Sequence, residues 1–508
     1  MSGRIDRAMW GQLFALAPGG QGPLQARIRQ MLVAAILDGR LSPGTALPSS
    51  RELAEELGIA RNTVVLAYQH LVDAGLLESS ERRGYFVSRE IQRPQLAVAP
   101  AEARSAIDWS RRFVVRPSEQ RNIVKAPDWQ RYPYPFLYGQ FDPALFPVAE
   151  WRECSRRALG ASELKGWAQD LIDGDDPLLV EQIRSRLLPR RGVWVTPAEV
   201  MITIGAQQAL FLLAELLVGS GTTVAMENPG YPDARNIFSM RTRHVRSLPV
   251  DGLGAVPGKE LSGCDYLFVT PSYQCPTSAT MPLCRREEIL AATAAQDIII
   301  IEDDYETHSG FAEVPAPALR SLDRAGRVLY VGSLSKILAP GLRLGFLVGP
   351  PELIREARAL RRLMLRHPPA NNQRTAALFL SLGHHEALGR RLGHILRDRA
   401  QVLKRALDRH LPELSCSAAS GCSAFWLEGP PWLDTREFAE RARDRGVLIE
   451  PGDVFFAGER APLNTLRLGF SSISSDRIEP GIAELAALLH ELAPARLARR
   501  AAAGSQIG

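Results

Sequence analysis

Val328-Leu-Tyr-Val-Gly-Ser-Leu-Ser-Lys-Ile-Leu-Ala-Pro-Gly-Leu-Arg-Leu-Gly345 is the stretch on which the fold turns. Its first residues, Val328–Val331, form an apolar run that reads as a buried strand, and Gly332 ends it. A lysine in the turn after such a strand can point into the crevice where open α/β sheets hold ligands. Ser333 and Ser335 flank that turn, and Arg343 follows Lys336 by seven residues, with Pro340-Gly341 between them. Two hydroxyls and a guanidinium gathered near one lysine suit a phosphate, which arginine holds through paired, charge-assisted hydrogen bonds.

The neighbouring segments extend this pattern. Ile298–Ile301 is a second apolar run, followed by Glu302-Asp303-Asp304-Tyr305. A buried strand that ends in three acids is costly unless a cation or solvent meets them. Asp303 is the candidate partner for a cation, although any one of the three could instead cap a helix. Tyr305 can reach a ring oxygen or pack in the core. Gly205-Ala-Gln-Gln208 follows the strand Val200–Ile204 and opens the helix Ala209–Leu217. A helix N-terminus behind a glycine turn is an anion site, here with Ala206 and Gln207 contributing. After the strand Thr223–Met226 comes Glu227-Asn-Pro-Gly-Tyr231, where Tyr231 can stack on a ring or sit in a loop. Pyridoxal 5'-phosphate (PLP) asks a protein for four things: a lysine, a carboxylate for its ring nitrogen, a phosphate cup and an aromatic. Each has a candidate here. With Tyr266–Thr270 and Leu344–Val348 added, strands alternate with helical segments over 135–495. That alternation predicts an α/β domain with a largely parallel sheet.

Residues 22–88 have a different texture. Gln25–Leu37 places apolar residues at helical spacing, and Gly39 with Pro43-Gly44 breaks the chain. Ser49-Ser-Arg-Glu52 is a capping box, and Gly58 ends the short helix it starts. The next helix opens at Ala60–Arg61 and buries Val64, Ala67, Tyr68 and Leu71. Its first residues are left for solvent or for base edges in a major groove. Leu76–Ser79 and Tyr85–Val87 read as a two-stranded wing. Arg61 can pair with guanine, and Asn62 or Gln69 with adenine. Arg51 and Thr63 suit phosphates, which fix register. The Pro-, Ala-, Arg- and Gln-rich stretch 89–134 reads as a linker.

The strings Gly39-Arg-Leu-Ser-Pro-Gly-Thr-Ala-Leu-Pro-Ser-Ser-Arg51, Leu57-Gly-Ile-Ala-Arg-Asn-Thr-Val64 and Gly84-Tyr-Phe-Val87 closely resemble the GntR-type winged helix. The resemblance implies operator contacts for Arg51, Arg61, Asn62, Thr63 and Gly84. The strings of the body resemble fold-type-I aminotransferases. Leu466-Arg467-Leu-Gly-Phe470 lies where that family places a carboxylate-binding arginine, which makes Arg467 the candidate for effector binding. Together, head and body resemble the MocR subfamily of GntR regulators, also called GabR-like or PdxR-like. The fold class implied is multidomain: a winged helix-turn-helix, then a type I aminotransferase fold with a large mixed sheet and a smaller subdomain.

The function implied is PLP-dependent transcription regulation, with an amino compound forming an external aldimine in place of Lys336. A homodimer, head to tail, is implied as well, and no catalytic residue or metal site is expected. The alternatives are an active aminotransferase with an accessory head, and a DNA-binding dimer without cofactor. Departures from active enzymes weigh against turnover. Cys275 replaces an asparagine, Ser278 stands where glycine is usual, and Asp173-Gly-Asp-Asp-Pro-Leu178 replaces a string that begins with tyrosine. The acids Asp173, Asp175 and Asp176 could line the mouth and favour a second amino group, or form a solvated loop.

Composition is consistent with a globular protein. The net charge of +5 permits nucleic-acid binding without arguing for it. No apolar run approaches the ~20 residues of a membrane span. The six cysteines form no Cys-x-x-Cys pair, which predicts reduced thiols and a cytoplasmic protein.

Overall fold

The computed structural model describes residues 7–15, 22–81, 83–91, 107–306, 316–336, 338–417, 421–458 and 460–504. The chain divides into two compact units, Met1–Arg112 and Phe113–Gly508.

In the first unit, four helices, α1 (Arg7–Ala15), α2 (Leu24–Leu37), α3 (Ser50–Leu57) and α4 (Arg61–Asp73), precede the strands β1 (Leu77–Ser80) and β2 (Gly84–Val87). The capping box forms as read. Ser49 Oγ accepts the Glu52 amide at 3.2 Å, and Glu52 Oε2 accepts the Ser49 amide at 2.8 Å. Gly58 closes α3 with φ of +64°, a conformation glycine reaches without strain. The stripe Val64, Ala67, Tyr68 and Leu71 of α4 is buried against Ile28, Met31 and Leu32 of α2. The Tyr68 hydroxyl, taken out of water, donates to the Pro48 carbonyl at 3.0 Å. β1 and β2 pair antiparallel, with Leu77 opposite Val87 and Ser80 opposite Gly84. Trp10 and Leu13 of α1 are buried in the same core, so this unit begins before residue 22.

Among the described residues, the second unit holds three sheets, of eight, four and two strands. Its first strands are β3 (Tyr134–Pro135), β4 (Val200–Thr203), β5 (Val224–Asn228), β6 (Val245–Asp251), β7 (Gly254–Ala255) and β8 (Tyr266–Val269). β9 (Ile299–Asp304), β10 (Val328–Ser333), β11 (Gly345–Val348), β12 (Ser415–Cys416) and β13 (Ala424–Glu428) follow. β14 (Val447–Leu448), β15 (Glu450–Pro451) and β16 (Thr465–Gly469) complete the set. The large sheet runs β4-β11-β10-β9-β8-β5-β6-β7. Its middle, from β10 through β9, β8 and β5 to β6, is parallel, while β11 and β7 pair antiparallel with their neighbours. The continuous apolar runs of the sequence are these strands, because helices cover both faces of a parallel sheet. The small sheet, β12-β13-β16-β15, is antiparallel.

The stretch read as a linker is not uniform. Residues 92–106 lie outside the described residues, whereas 113–134 belong to the body unit. There Arg121 donates to the carbonyl and the carboxylate of Asp453, at 2.8 Å each. The C-terminal helix continues past 495, spanning Ser475–Gly504. Among the described residues no helix is long and apolar enough to cross a membrane.

Candidate functional site

The C-terminal ends of β4, β5, β9 and β10, together with β16 of the small sheet, bring the sequence candidates of the body together. Lys336, Asp303, Tyr305, Tyr231, Ala206, Gln207, Ser333, Ser335, Arg343 and Arg467 all line one cavity of about 280 Å3.

The three acids of β9 separate by partner. Glu302 accepts the amides of Leu319 and Arg320 at 2.8 and 2.9 Å. Asp304 Oδ2 meets Arg191 Nε at 2.8 Å and the Tyr330 hydroxyl at 2.6 Å. Asp303 has no such cation, and its buried Oδ1 lacks a hydrogen-bond partner. Burial, with Asp304 and Glu227 nearby, pushes the Asp303 carboxyl up to about 8. Alternation along the strand explains the split: Glu302 and Asp304 share one face of the sheet, and Asp303 takes the other. A buried carboxyl left unmatched in this way is the group a pyridinium nitrogen needs.

Lys336 Nζ stands 4.0 Å from the centre of the Tyr138 ring and 5.9 Å from that of Tyr305. Burial pushes this amine down to about 8. At the other end of the cavity, Gly205 has φ of +74° and opens the helix Gly205–Leu217. A Cβ there would lie 3.0 Å from Arg343 Nη2, so glycine leaves the guanidinium room beside the helix N-terminus. Helix amides and an arginine fit a phosphate. Ser335 Oγ is occupied by the Leu344 amide and carbonyl, both at 3.2 Å, and Ser333 Oγ accepts the Ser335 amide at 3.3 Å. These hydroxyls therefore also hold the turn that presents Lys336. The Tyr305 hydroxyl donates to the Tyr273 carbonyl at 2.8 Å, and that of Tyr231 donates to Asp233 at 3.0 Å.

Cys275 lines the cavity too, and burial pushes its thiol up to about 12, so it stays protonated as a weak donor. Ser278 adopts φ of +62°, the conformation for which glycine is the usual residue. Its hydroxyl donates to the Ala424 carbonyl at 3.1 Å, which helps to hold the strained turn.

The acids at 173–176 do not line the cavity. Asp175 is buried between Arg358 and Arg361, at 2.7 and 2.6 Å. Asp176 caps the helix Pro177–Gln182 and meets Arg374 at 2.6 Å. Asp173 offers its carbonyl to Arg358 and Arg361. The carboxylates of Asp175 and Asp176 are thus engaged by arginines of the same chain, which makes this loop a structural anchor. Conversely, sequence reading missed Ile123, Lys125, Tyr138 and Asp233, all of which line the cavity. Lys125 was the most findable, as a lone lysine in an arginine-rich stretch.

In the head, Arg51, Arg61 and Asn62 are exposed, and Thr63 is half-buried beside them on α4. Arg51 and Arg61 flank one shallow recess with Glu55 and Gly58. Arg61 Nε reaches Ser50 Oγ at 3.4 Å. Gly84 begins β2 at the wing turn with φ of +96°.

Two family models match: "Bacterial regulatory proteins, gntR family" over residues 24–87, and "Aminotransferase class I and II" over 142–485. The chain is 46% identical to the HTH-type transcriptional regulator TauR of Rhodobacter capsulatus, over 94% of this chain and 98% of that protein. It is 31% identical to the probable rhizopine catabolism regulatory protein MocR of Rhizobium meliloti, over 77% of this chain and 78% of that one. Among solved structures, LysN, an alpha-aminoadipate aminotransferase from Thermus thermophilus complexed with N-(5'-phosphopyridoxyl)-L-leucine, matches with a TM-score of 0.70. That match is 28% identical and covers 76% of this chain and all of LysN.

Proposed function

The chain belongs to the MocR/PdxR-like GntR regulators, and from that premise we propose that it senses an amino compound through PLP held at Lys336. The observation that carries this reading is the unmatched, buried Asp303 in the same cavity as Lys336.

When bound, PLP supplies an aldehyde that condenses reversibly with primary amines. Lys336 would hold the cofactor in the resting state, its lowered pKa leaving a larger share of the amine neutral at neutral pH than an exposed lysine would have. Asp303 would keep a proton on the ring nitrogen, and that proton in turn relieves the buried carboxylate. Ala206, Gln207 and Arg343, with Ser333 and Ser335, would surround the phosphate. Tyr231 would stack on the ring, and Tyr305 would bound its far edge. Arg467 would face the acidic group of a ligand.

A ligand amine competing with Lys336 changes the charge and contacts of the cavity. That change biases a head-to-tail homodimer between DNA-binding arrangements to the extent that the ligand binds the two differently. In the head, α4 enters the major groove with Arg61 and Asn62 at base edges, while Arg51, Thr63 and the wing at Gly84 meet the backbone. The buried, protonated Cys275 supports sensing over rapid turnover, since it offers only a weak hydrogen bond.

The test is a visible absorption titration of wild type and Lys336→Ala with amines and amino acids, alongside binding to DNA flanking the chain's own gene. A band that requires Lys336, shifts with one ligand class and changes DNA binding supports the proposal. Absence of any band after PLP is added overturns it. Steady conversion of amino donors and 2-oxoacids at catalytic protein levels would replace sensing with enzymatic activity.

A further inference from the structure

Of the 61 basic residues, only five are lysine, yet two of those five line the same cavity. A Cβ on Gly139 would lie 2.8 Å from Lys336 Nζ and 3.5 Å from Lys125 Nζ, so the two amines converge on one point. Lys336 is accounted for by the cofactor, but Lys125 is not.

Lys125 is half-buried, with its Nζ donating to the Tyr138 carbonyl and standing 3.5 Å from Glu450 Oε1. Glu450 Oε2 accepts Arg467 Nε at 2.8 Å, while its Oε1 has no hydrogen-bond partner. Arg467 is 2% exposed, and its Nη2 is buried without a partner. Its guanidinium lies between the rings of Tyr138 and Phe455, 4.2 and 4.6 Å from their centres. The remaining acid at this wall, Asp233, is engaged by the Tyr231 hydroxyl in the first turn of the helix Pro232–Ser239. One wall of the cavity therefore presents two cations with unspent donors around the single carboxylate of Glu450. A carboxylate or sulfonate has lone pairs for both.

We infer that Lys125 and Arg467 together receive the acidic group of an amino-acid ligand, and that Lys125 sets the preference for such ligands over plain amines. The inference rests on the proposed reading that this cavity takes an amino compound. Glu450 holds the two cations in place in the ligand-free protein, where an unpaired pair of buried charges would be costly. Lys125 lies in the stretch 113–134, which follows the head in sequence. Four residues before it, Arg121 is bonded to Asp453, and Asn236 donates to the Arg121 carbonyl at 3.0 Å and to Asn122 at 2.6 Å. The ligand's acid thus touches the connecting stretch directly.

The test compares wild type, Lys125→Gln and Lys125→Arg, with 3-aminopropanoate and propylamine as probes of the cofactor band. Wild type should prefer 3-aminopropanoate by about a hundredfold, roughly one charge-assisted hydrogen bond from each cation. Lys125→Gln should cut that ratio about tenfold, leaving the share due to Arg467, with the band and the propylamine response unchanged, and Lys125→Arg should restore most of it. An unchanged ratio in Lys125→Gln overturns the inference. If wild type shows no cofactor band, the proposed function falls, and propanoate binding to the cofactor-free protein, followed by NMR, decides this inference by itself. Binding about tenfold weaker in Lys125→Gln supports it, and equal binding overturns it.

Discussion

In the head, Arg51, Arg61 and Asn62 stand in solvent, beside polar groups already paired within the unit, such as the Ser49–Glu52 box and the Tyr68–Pro48 bond. In the body, Asp303, Lys336 and Arg467 are withdrawn from water, and Asp303 and Arg467 each keep a buried atom without a partner. On the proposed function, the head keeps these groups hydrated until DNA arrives, because phosphates and base edges come to the surface. The body holds its groups in an environment that penalises unpaired charge, so on the same proposal an incoming ligand relieves a cost that already exists. The two regions should therefore respond differently to the loss of one group.

The largest difference expected is for Lys336→Ala. It should remove the cofactor band and the ligand response altogether while operator affinity, measured by fluorescence anisotropy, stays near wild type. Lost DNA binding would mean that the body governs the head even without ligand. Next in size is pH. Because burial lowers the Lys336 pKa to about 8, its reactive neutral form is the major one above that pH and falls about tenfold per unit below it. The rate at which added PLP develops its band should follow that curve, and a flat profile would remove Lys336 as the reacting amine.

Asp303→Asn should weaken cofactor retention by about 3 kcal/mol, as expected for breaking a buried charged pair. Its effect on the cofactor-free protein has the opposite sign. The folded-state pKa of Asp303 is raised to about 8, so the wild type keeps its full stability below the ordinary carboxyl range and loses part of it as pH rises towards 8. The asparagine variant should lack that decline, and melting temperatures across the interval would measure it. Arg61→Ala, by contrast, should leave stability alone and remove about 1–3 kcal/mol of discrimination between operator and random DNA. Unchanged discrimination would take Arg61 away from the bases. The smallest effect belongs to Ser49→Ala, which should lower the stability of the head by about 1 kcal/mol through its cap, with the cofactor band untouched.

Much of this arrangement is legible in the sequence because its signals are local. The strands of the large sheet are continuous apolar runs, and α3 announces itself through Ser49, Glu52 and Gly58 within ten residues. The strand ending in three acids pointed to Asp303, although only the structure shows which acids are matched, since Arg191 and the amides of Leu319 and Arg320 come from elsewhere in the chain. The same limitation misled the reading of Asp175, whose partners Arg358 and Arg361 lie some 180 residues away. Lys125 and Tyr138 sit in stretches without periodicity, and no local pattern announces that they fold onto the cavity. The helix α1 was missed for a related reason. It is only nine residues long, so it depends on burying Trp10 and Leu13 in a core built by residues further along.

The scarcity of lysine makes the cavity readable by reagents. Lys165, Lys259 and Lys404 are exposed, whereas Lys125 and Lys336 are screened by the walls around them. Amine acylation followed by peptide mass spectrometry should therefore resolve a fast surface set and a slow interior set in one experiment. The slow set is a built-in gauge of occupancy. Cofactor should silence the label at Lys336 alone, and an acid-bearing ligand should then silence it at Lys125, while the three surface lysines serve as the internal standard.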